Sequence, residues 1–353
     1  MKTNARAADQ AVSAGAIAPA GSTDGPLLRV EDLHTEFPSK EGTVRAVNGV
    51  NLSVTAGEML GIVGESGCGK SVTGLSIMRL VPYPGRITGG RILLGGQNLR
   101  ALDEAAMRVV RGKSIAMVFQ DPLTALNPVL TISRQLTEAL TVHARLSPRD
   151  AKDRAVELLR TVEIPSPEKR VNDYPHQFSG GMRQRVMIAS AISCDPQIII
   201  ADEPTTALDV TIQAQILELL QTICARRGTS IVLITHALGI VAGMCRRVAV
   251  MYAGRIVEQG DTRDLFSKPR HPYTRGLLAS TPRMDRVEKR LQSIGGSAPV
   301  LVDPPPRCAF APRCAFAMDA CRAGVPPLVH VPARPGAASI HLAACFRAGE
   351  ELW

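Results

Sequence analysis

The sequence predicts an α/β fold in which a strand-rich opening leads into a parallel sheet, with a helical block inserted between strands. Three observations predict it. The apolar run Met59–Val63 indicates a buried strand and leads directly into a glycine-rich loop. Strand and helix patterns alternate over residues 198–245, as in a parallel sheet with both faces covered. Residues 122–194 have a helical pattern, with amphipathic stretches at 132–144 and 150–162.

The other elements follow in chain order. Apolar and β-branched residues predict strands over 27–30 and 44–54, and a helix over 70–80 follows the glycine-rich loop. The apolar run 114–119 predicts another strand, which ends at Gln120. After residue 266 the composition shifts to Pro, Arg and Cys. We therefore expect a separate C-terminal extension.

The glycine-rich loop fits the pattern G-x-x-x-x-G-K-[ST], which is typical of a phosphate-binding loop. It consists of Gly64, Glu65, Ser66, Gly67, Cys68, Gly69, Lys70 and Ser71. Glycines let successive backbone N–H groups turn toward one anion, and the helix that follows adds the positive end of its dipole. We expect Lys70 to reach the β- and γ-phosphates of a nucleoside triphosphate and the Ser71 hydroxyl to bind Mg²⁺.

A second chemical element is an apolar strand that ends in two adjacent acids. Residues 198–201 are apolar and are followed by Asp202 and Glu203. Such a strand presents its acids at the carboxyl edge of the sheet, where ligands of open α/β folds bind. Asp202 suits the shell of a Mg²⁺ ion, and Glu203 can polarise an attacking water. Together with the phosphate loop, the pair predicts a nucleotide-hydrolysing site.

Composition limits the class of protein. With 353 residues and 45% hydrophobic residues, the chain can bury a substantial core. No apolar run approaches the roughly 18 residues of a membrane-spanning helix. Residues 1–26 lack the apolar core of a secretory signal, so we expect a disordered tail and no export. The net charge is +9 but only 3% of residues are aromatic, so we expect no nucleic-acid partner.

A third element indicates one family. Phe178, Ser179, Gly180, Gly181 and Met182 precede a predicted helix. Here the chain resembles the ATP-binding subunits of ABC transporters, whose signature motif is usually Leu-Ser-Gly-Gly-Gln. The Ser-Gly-Gly core matches, and Phe and Met at its two ends are similar to the variant in the oligopeptide and dipeptide importer branch.

The resemblance implies roles for further residues. Gln120 resembles the glutamine that contacts Mg²⁺ and the attacking water, and Asp209 resembles the D-loop aspartate that bridges to a second subunit. His236 resembles the histidine that holds the γ-phosphate. Family members usually carry Asp after this histidine, whereas this chain has Ala237. Phe37 is the candidate for the aromatic residue that stacks on adenine.

The resemblance covers the chain from about residue 27 and implies its fold. Residues 27–268 would form a P-loop NTPase domain of the ABC type, with an antiparallel β subdomain and the helical subdomain at about 122–194. Residues 269–353 would form the C-terminal extension. Its beginning, His271-Pro272-Tyr273-Thr274, is similar to the extension of the peptide and nickel importer subfamily.

Four of the eight cysteines gather in this extension: Cys308, Cys314, Cys321 and Cys345. Disulfides are disfavoured in the reducing cytosol. The cysteine spacing lacks the paired C-x2-C of zinc ribbons. It resembles the four-cysteine tail of the subfamily, which implies a 4Fe–4S cluster on four thiolates. A zinc ion and unligated thiols are the alternatives.

The resemblance implies an ATP-hydrolysing subunit that powers peptide import, with ATP and Mg²⁺ bound between two such subunits. The second ATPase would be a related but different chain. Two membrane permease subunits and an extracytoplasmic substrate-binding protein would complete the importer. The chain would lie peripherally on the cytoplasmic face of the cell membrane.

Four alternatives compete with peptide import. The chain could power uptake of nickel or another small solute, or it could be an exporter subunit, against which the peptide-type tail argues. A soluble ATPase of DNA repair or translation would carry long coiled-coil insertions or two cassettes, and the sequence shows neither. A regulatory module without hydrolysis would need a damaged site, whereas Lys70, Asp202, Glu203 and His236 are present.

Overall fold

The computed structural model describes residues 25–206, 208–280, 294–297, 299, 302–332 and 340–350. The predicted tail at 1–26 lies almost entirely outside these residues, and so does Ala207, two residues before Asp209. Among the residues described, no helix combines the length and the apolar character needed to cross a membrane.

Twelve strands lie within the described residues, and they form two sheets. Their bounds are β1 Leu28–Ser39, β2 Gly42–Val54, β3 Met59–Val63, β4 Arg86–Leu94, β5 Gln97–Asn98, β6 Ile115–Val118, β7 Ile198–Asp202, β8 Ser230–Thr235, β9 Arg247–Tyr252, β10 Arg255–Asp261, β11 Val329–Val331 and β12 His341–Ala343.

Twelve α-helices and three short 3₁₀ turns connect these strands within the described residues. The helices are α1 Lys70–Ile77, α2 Glu104–Lys113, α3 Pro122–Ala125, α4 Ile132–His143, α5 Pro148–Thr161, α6 Pro167–Arg170, α7 Gly180–Ala191, α8 Val210–Arg227, α9 Leu238–Met244, α10 Thr262–Ser267, α11 Pro272–Ala279 and α12 Asp319–Ala323. The 3₁₀ turns are Leu99–Ala101, Pro175–Gln177 and Ala311–Arg313.

The smaller sheet is antiparallel, with strand order β2-β1-β4-β5. The larger sheet has the order β11-β12-β10-β9-β3-β8-β7-β6. Its strands β9, β3, β8, β7 and β6 are parallel to one another, and each is largely or wholly buried. This arrangement follows from the apolar runs of the sequence, because strands covered on both faces carry continuous apolar residues.

The first strand is longer than its sequence pattern predicts. The predicted strand ends at Val30, whereas β1 continues to Ser39. The pairing of β1 with β2 shifts its register between Val30 and Leu33, and Asp32 in between has a φ of 45°. This bulge interrupts the alternation of apolar and polar residues on which the prediction depended.

Helices α3 to α7 occupy the block for which the sequence predicts a helical subdomain. Apolar residues at helical spacing, such as Leu136 and Leu140 of α4 and Leu158 of α5, are buried in one core. The same core continues under the parallel sheet, where Ile199 and Leu233 belong to it. The subdomain is therefore packed directly against the sheet.

The C-terminal extension joins the main sheet instead of forming a separate layer. Strand β12 pairs with β10 through Glu258↔Ala343 and Gln259↔Leu342. Below this pairing, the His341 ring lies 2.8 Å from the Glu258 carboxylate, and their side chains are 1% and 0% exposed. Glu258 also accepts the backbone N–H groups of Arg270 and His271. Since a buried carboxylate needs such partners, the extension completes the core of the domain.

Candidate active site

The four parallel strands β3, β6, β7 and β8 bring the predicted site residues together at one edge of the sheet. The phosphate loop follows β3, Gln120 follows β6, the acids end β7, and His236 follows β8. Neighbouring parallel strands end on the same edge, so these residues meet although they are far apart in sequence. Lys70, Ser71, Gln120, Glu203 and His236 line a cavity of about 480 Å³ at this edge.

The phosphate loop takes its shape from glycines in the left-handed region. Gly69 has a φ of 104°, and a Cβ there would lie 2.1 Å from the Ala46 carbonyl oxygen. Only glycine fits this position. The Lys70 ammonium donates to the carbonyl oxygens of Gly64 at 2.9 Å and Glu65 at 3.0 Å. These two hydrogen bonds hold Lys70 against the start of the loop, and the Lys70 backbone begins helix α1.

Ser71 and Asp202 form the second half of the phosphate region. The Ser71 hydroxyl donates to the Asp202 carboxylate at 2.9 Å. Burial raises the pKa of the Asp202 carboxyl, while the Ser71 hydrogen bond and the Lys70 charge oppose that rise. A buried carboxylate beside a hydroxyl offers the two oxygen ligands that Mg²⁺ prefers, so these residues fit a magnesium ion.

Glu203 is the centre of a polar network. Its carboxylate accepts the Gln120 side-chain amide at 3.1 Å and the Thr206 hydroxyl at 2.9 Å, and the His236 Nδ1 atom lies 3.2 Å from its other oxygen. The Glu203 backbone has a φ of 44°, which is uncommon for a residue with a side chain. Its N–H donates to the Ile234 carbonyl of β8. The strained conformation directs the carboxylate into the cavity, which Gln120, Glu203 and His236 all line.

The structure does not bring Phe37 to this cavity. Val44 and Ala46 of β2 line it, and Phe37 is the partner of Val44 across the β1–β2 pair. The Phe37 ring packs on Gly85, where a Cβ would lie 2.4 Å from it. The role of Phe37 in adenine binding stays a prediction.

The Ser-Gly-Gly motif and Asp209 are not among the residues that line the cavity at the phosphate loop. Ser179 caps helix α7 by accepting the Met182 N–H at 3.3 Å, and Ser179 and Gly180 are exposed. Gly181 is needed for packing, because a Cβ there would lie 2.6 Å from Ile212 of α8. Asp209 caps α8 by accepting the Ile212 N–H. The motif is therefore an exposed helix start that does not line the cavity at the phosphate loop of its own chain.

The four cysteines of the extension line one small cavity of about 20 Å³. Backbone N–H groups approach two of the sulfur atoms: Phe316 N lies 3.4 Å from Cys314 Sγ, and Arg347 N lies 3.4 Å from Cys345 Sγ. Burial raises the pKa of the Cys345 thiol to about 11. Among the residues described, no group of three or more His, Cys, Asp or Glu side chains is arranged as a metal site. The predicted set is gathered, but without the geometry of a metal centre.

Comparisons with known proteins agree with this geometry. Residues 47–206 match the family model described as ABC transporter, and residues 257–321 match the model described as oligopeptide/dipeptide transporter, C-terminal region. The chain is 54% identical over 326 residues to a probable peptide ABC transporter ATP-binding protein of Sinorhizobium fredii, covering 92% of this chain and 96% of that protein. The chain belongs to the ATP-binding proteins of ABC transporters. The second model places it in the oligopeptide/dipeptide subfamily.

Further relatives and solved structures of ABC ATP-binding proteins agree. The chain is 53% identical over 296 residues to a dipeptide transport ATP-binding protein of Bacillus subtilis, covering 84% of this chain and 88% of that protein. A dimeric ATP-binding cassette in a post-hydrolysis state with ADP and Pi matches with a TM-score of 0.61 and 29% identity, covering 67% of this chain and 99% of that one. This confirms the predicted fold class, and this ABC protein is an ATPase.

The structure adds residues to the site of this ABC ATPase that the sequence did not indicate. Thr206 supports Glu203, and Ala46 lines the cavity. Tyr273 and Arg313 contact Glu65 in the phosphate loop, although both belong to the C-terminal extension. Thr206 lies three residues after Glu203, a spacing that could have indicated it. The contacts of Tyr273 and Arg313 with Glu65 join residues far apart in the sequence, so no local sequence pattern indicates them.

Proposed function

We propose that this chain is the ATP-hydrolysing subunit that powers import of peptides across the cytoplasmic membrane. The observation that carries the proposal is the C-terminal match over residues 257–321, because it belongs to oligopeptide/dipeptide transporters and lies outside the nucleotide motifs. Relatives that cover most of the chain carry peptide or dipeptide transport in their names. We propose that the chain divides into an ATP-binding domain at residues 27–268 and a C-terminal extension at residues 269–353.

The site residues divide the chemical work. Lys70 and the loop N–H groups would bind the β- and γ-phosphates of ATP. Ser71, Asp202 and Gln120 would hold Mg²⁺, which when bound neutralises charge on the phosphates. Glu203, held at both oxygens, would orient and polarise the attacking water, and His236 beside it would contact the γ-phosphate. The motif at Ser179 would serve the ATP of a second subunit.

This proposal implies an assembly. A second ABC ATPase subunit, a related but different chain, would form the nucleotide-binding pair with this one. Two membrane permease subunits would couple ATP binding to transport, and an extracytoplasmic binding protein would deliver the solute. The chain would lie peripherally on the cytoplasmic face of the membrane. Nickel import is the alternative that shares this assembly.

A transport assay with reconstituted complexes distinguishes peptide import from nickel import. We expect complexes purified through this chain and placed in liposomes with ATP to accumulate a labelled dipeptide or oligopeptide in the presence of the binding protein. The same complexes carrying Glu203→Gln should accumulate none, because transport requires hydrolysis. Uptake of ⁶³Ni²⁺ without any uptake of peptide would contradict peptide import and favour the alternative.

We also propose that the extension holds a 4Fe–4S cluster on Cys308, Cys314, Cys321 and Cys345. Four thiols lining one cavity provide the donor set of such a cluster, and N–H groups directed at sulfur are typical supports of cluster thiolates. The Arg347 cation interacts with Cys314 and Cys345 and would balance part of the thiolate charge. The cluster would stabilise a Pro-rich segment with little apolar core of its own.

We expect anaerobically purified protein to be brown, with about four iron and four sulfide per chain. Cys314→Ser should bleach the colour and lower the melting temperature, while ATP still binds at Lys70. Cys194→Ser is the matched control, because Cys194 lies in the helical subdomain and donates to the Ala139 carbonyl. Stoichiometric zinc without iron would contradict the cluster but keep the four-thiolate site. Protein free of any metal would contradict both.

A further inference from the structure

We propose that Arg313 and Tyr273 are positioning residues for the phosphate loop, and that they act through Glu65. Both residues belong to the C-terminal extension, whereas Glu65 is the second residue of the loop that binds the triphosphate. The extension would then be a working part of the ATP site in addition to completing the core. The inference depends on the ATPase activity alone and is independent of the transported solute.

The first contact is a two-pronged ion pair between Arg313 and Glu65. Arg313 Nη1 lies 2.7 Å from Glu65 Oε2, and Arg313 Nη2 lies 2.9 Å from Glu65 Oε1. The Arg313 side chain is only 7% exposed and that of Glu65 is 26% exposed. Parallel hydrogen bonds from a guanidinium fork fix both the distance and the orientation of a carboxylate. This pair is therefore more specific than the exposed ion pairs elsewhere on the chain.

The extension fixes the position of Arg313. Its Nε atom donates to the Gly295 carbonyl at 2.8 Å, and Nη1 lies 3.3 Å from the Tyr252 hydroxyl. The guanidinium also lies over the rings of Tyr252 and Phe310, at 5.8 and 6.0 Å from their centroids. Arg313 ends a 3₁₀ turn and directly precedes Cys314. The extension thus presents the guanidinium to the loop in one orientation.

The second contact fixes the backbone of Glu65. Its N–H donates to the Tyr273 hydroxyl at 2.9 Å, and its carbonyl accepts from Lys70 at 3.0 Å. Tyr273 is fully buried, and its ring packs on that of Tyr252 with the centroids 4.4 Å apart. The Glu65 carbonyl also accepts the Cys68 N–H at 3.3 Å. Every polar group of Glu65 therefore has a partner, and two of its four partner residues come from the extension.

These contacts matter because Glu65 places a negative charge in a loop that must bind a polyanion. An unpaired carboxylate there would repel the phosphates of ATP, and the repulsion would be strong in a partly buried site. Arg313 neutralises this charge and holds the side chain, while Tyr273 holds the backbone in place. A loop fixed in this way needs less ordering when ATP binds.

The test measures KM for ATP and kcat in the assembled transporter. We expect Arg313→Ala to raise KM about tenfold with little change in kcat, because the contact supports binding equally in the ground and transition states. Adding Glu65→Gln should bring KM back toward the wild-type value, because the unpaired charge is then gone. Arg322→Ala is the matched control, because Arg322 also lies next to a cysteine of the extension but is exposed and pairs with Asp319.

A second variant keeps the test decisive if Arg313→Ala fails to fold. Tyr273→Phe removes only the hydroxyl that accepts the Glu65 N–H, and we expect it to raise KM severalfold with the melting temperature unchanged. Wild-type KM in both single variants would overturn the proposal. A raised KM in Arg313→Ala that Glu65→Gln does not relieve would also overturn it, because the effect would then not act through Glu65.

Discussion

Glu203→Gln should lower kcat for ATP hydrolysis by roughly 100- to 10,000-fold while ATP still binds. The amide keeps the shape of the side chain and can still contact Gln120 and His236. It carries no negative charge, so it cannot polarise the attacking water. Hydrolysis by the assembled complex and equilibrium binding of a fluorescent ATP analogue measure the two effects separately.

Two further variants serve as controls for the loss of ATP binding and for the absence of any effect. Lys70→Ala should lose ATP binding itself, because it removes the charge that meets the phosphates and the two hydrogen bonds that close the loop. Glu168→Gln should leave both measurements unchanged, since Glu168 is exposed and pairs with Arg160 away from the site. Turnover near the wild-type rate in Glu203→Gln would remove Glu203 from the catalytic role.

The catalytic edge of the sheet could be predicted from the sequence because its signals are local. Each motif stands at the end of an apolar run, and parallel strands bring such ends together. The positions of Lys70, Gln120, Glu203 and His236 around one cavity follow from that rule.

Other features could not be predicted because they depend on long-range packing. Glu65 and Arg313 are 248 residues apart, and no periodicity links them. Strand β12 has three residues, which is too short to show alternation, so its place beside β10 was not expected. The length of β1 was missed for a different, local reason, because the bulge at Asp32 interrupts the alternation of apolar and polar residues along the strand.

Ser179→Arg in this chain should silence ATP turnover in the partner subunit and spare the site at Lys70. The Ser179 turn is an exposed helix start that can bind an anion, and it does not line the cavity at the phosphate loop of its own chain. An arginine side chain at this turn would obstruct the partner's ATP. Ser147→Arg is the matched control, because Ser147 caps α5 in the same subdomain.

The most direct measurement of the shared site is subunit-resolved trapping of nucleotide. The assembled pair is incubated with radiolabelled 8-azido-ATP, Mg²⁺ and vanadate, irradiated, and separated by electrophoresis. With Ser179→Arg in this chain, we expect the label to disappear from the partner subunit and to remain on this chain. Loss of label from this chain, with the partner still labelled, would contradict a site shared between two subunits.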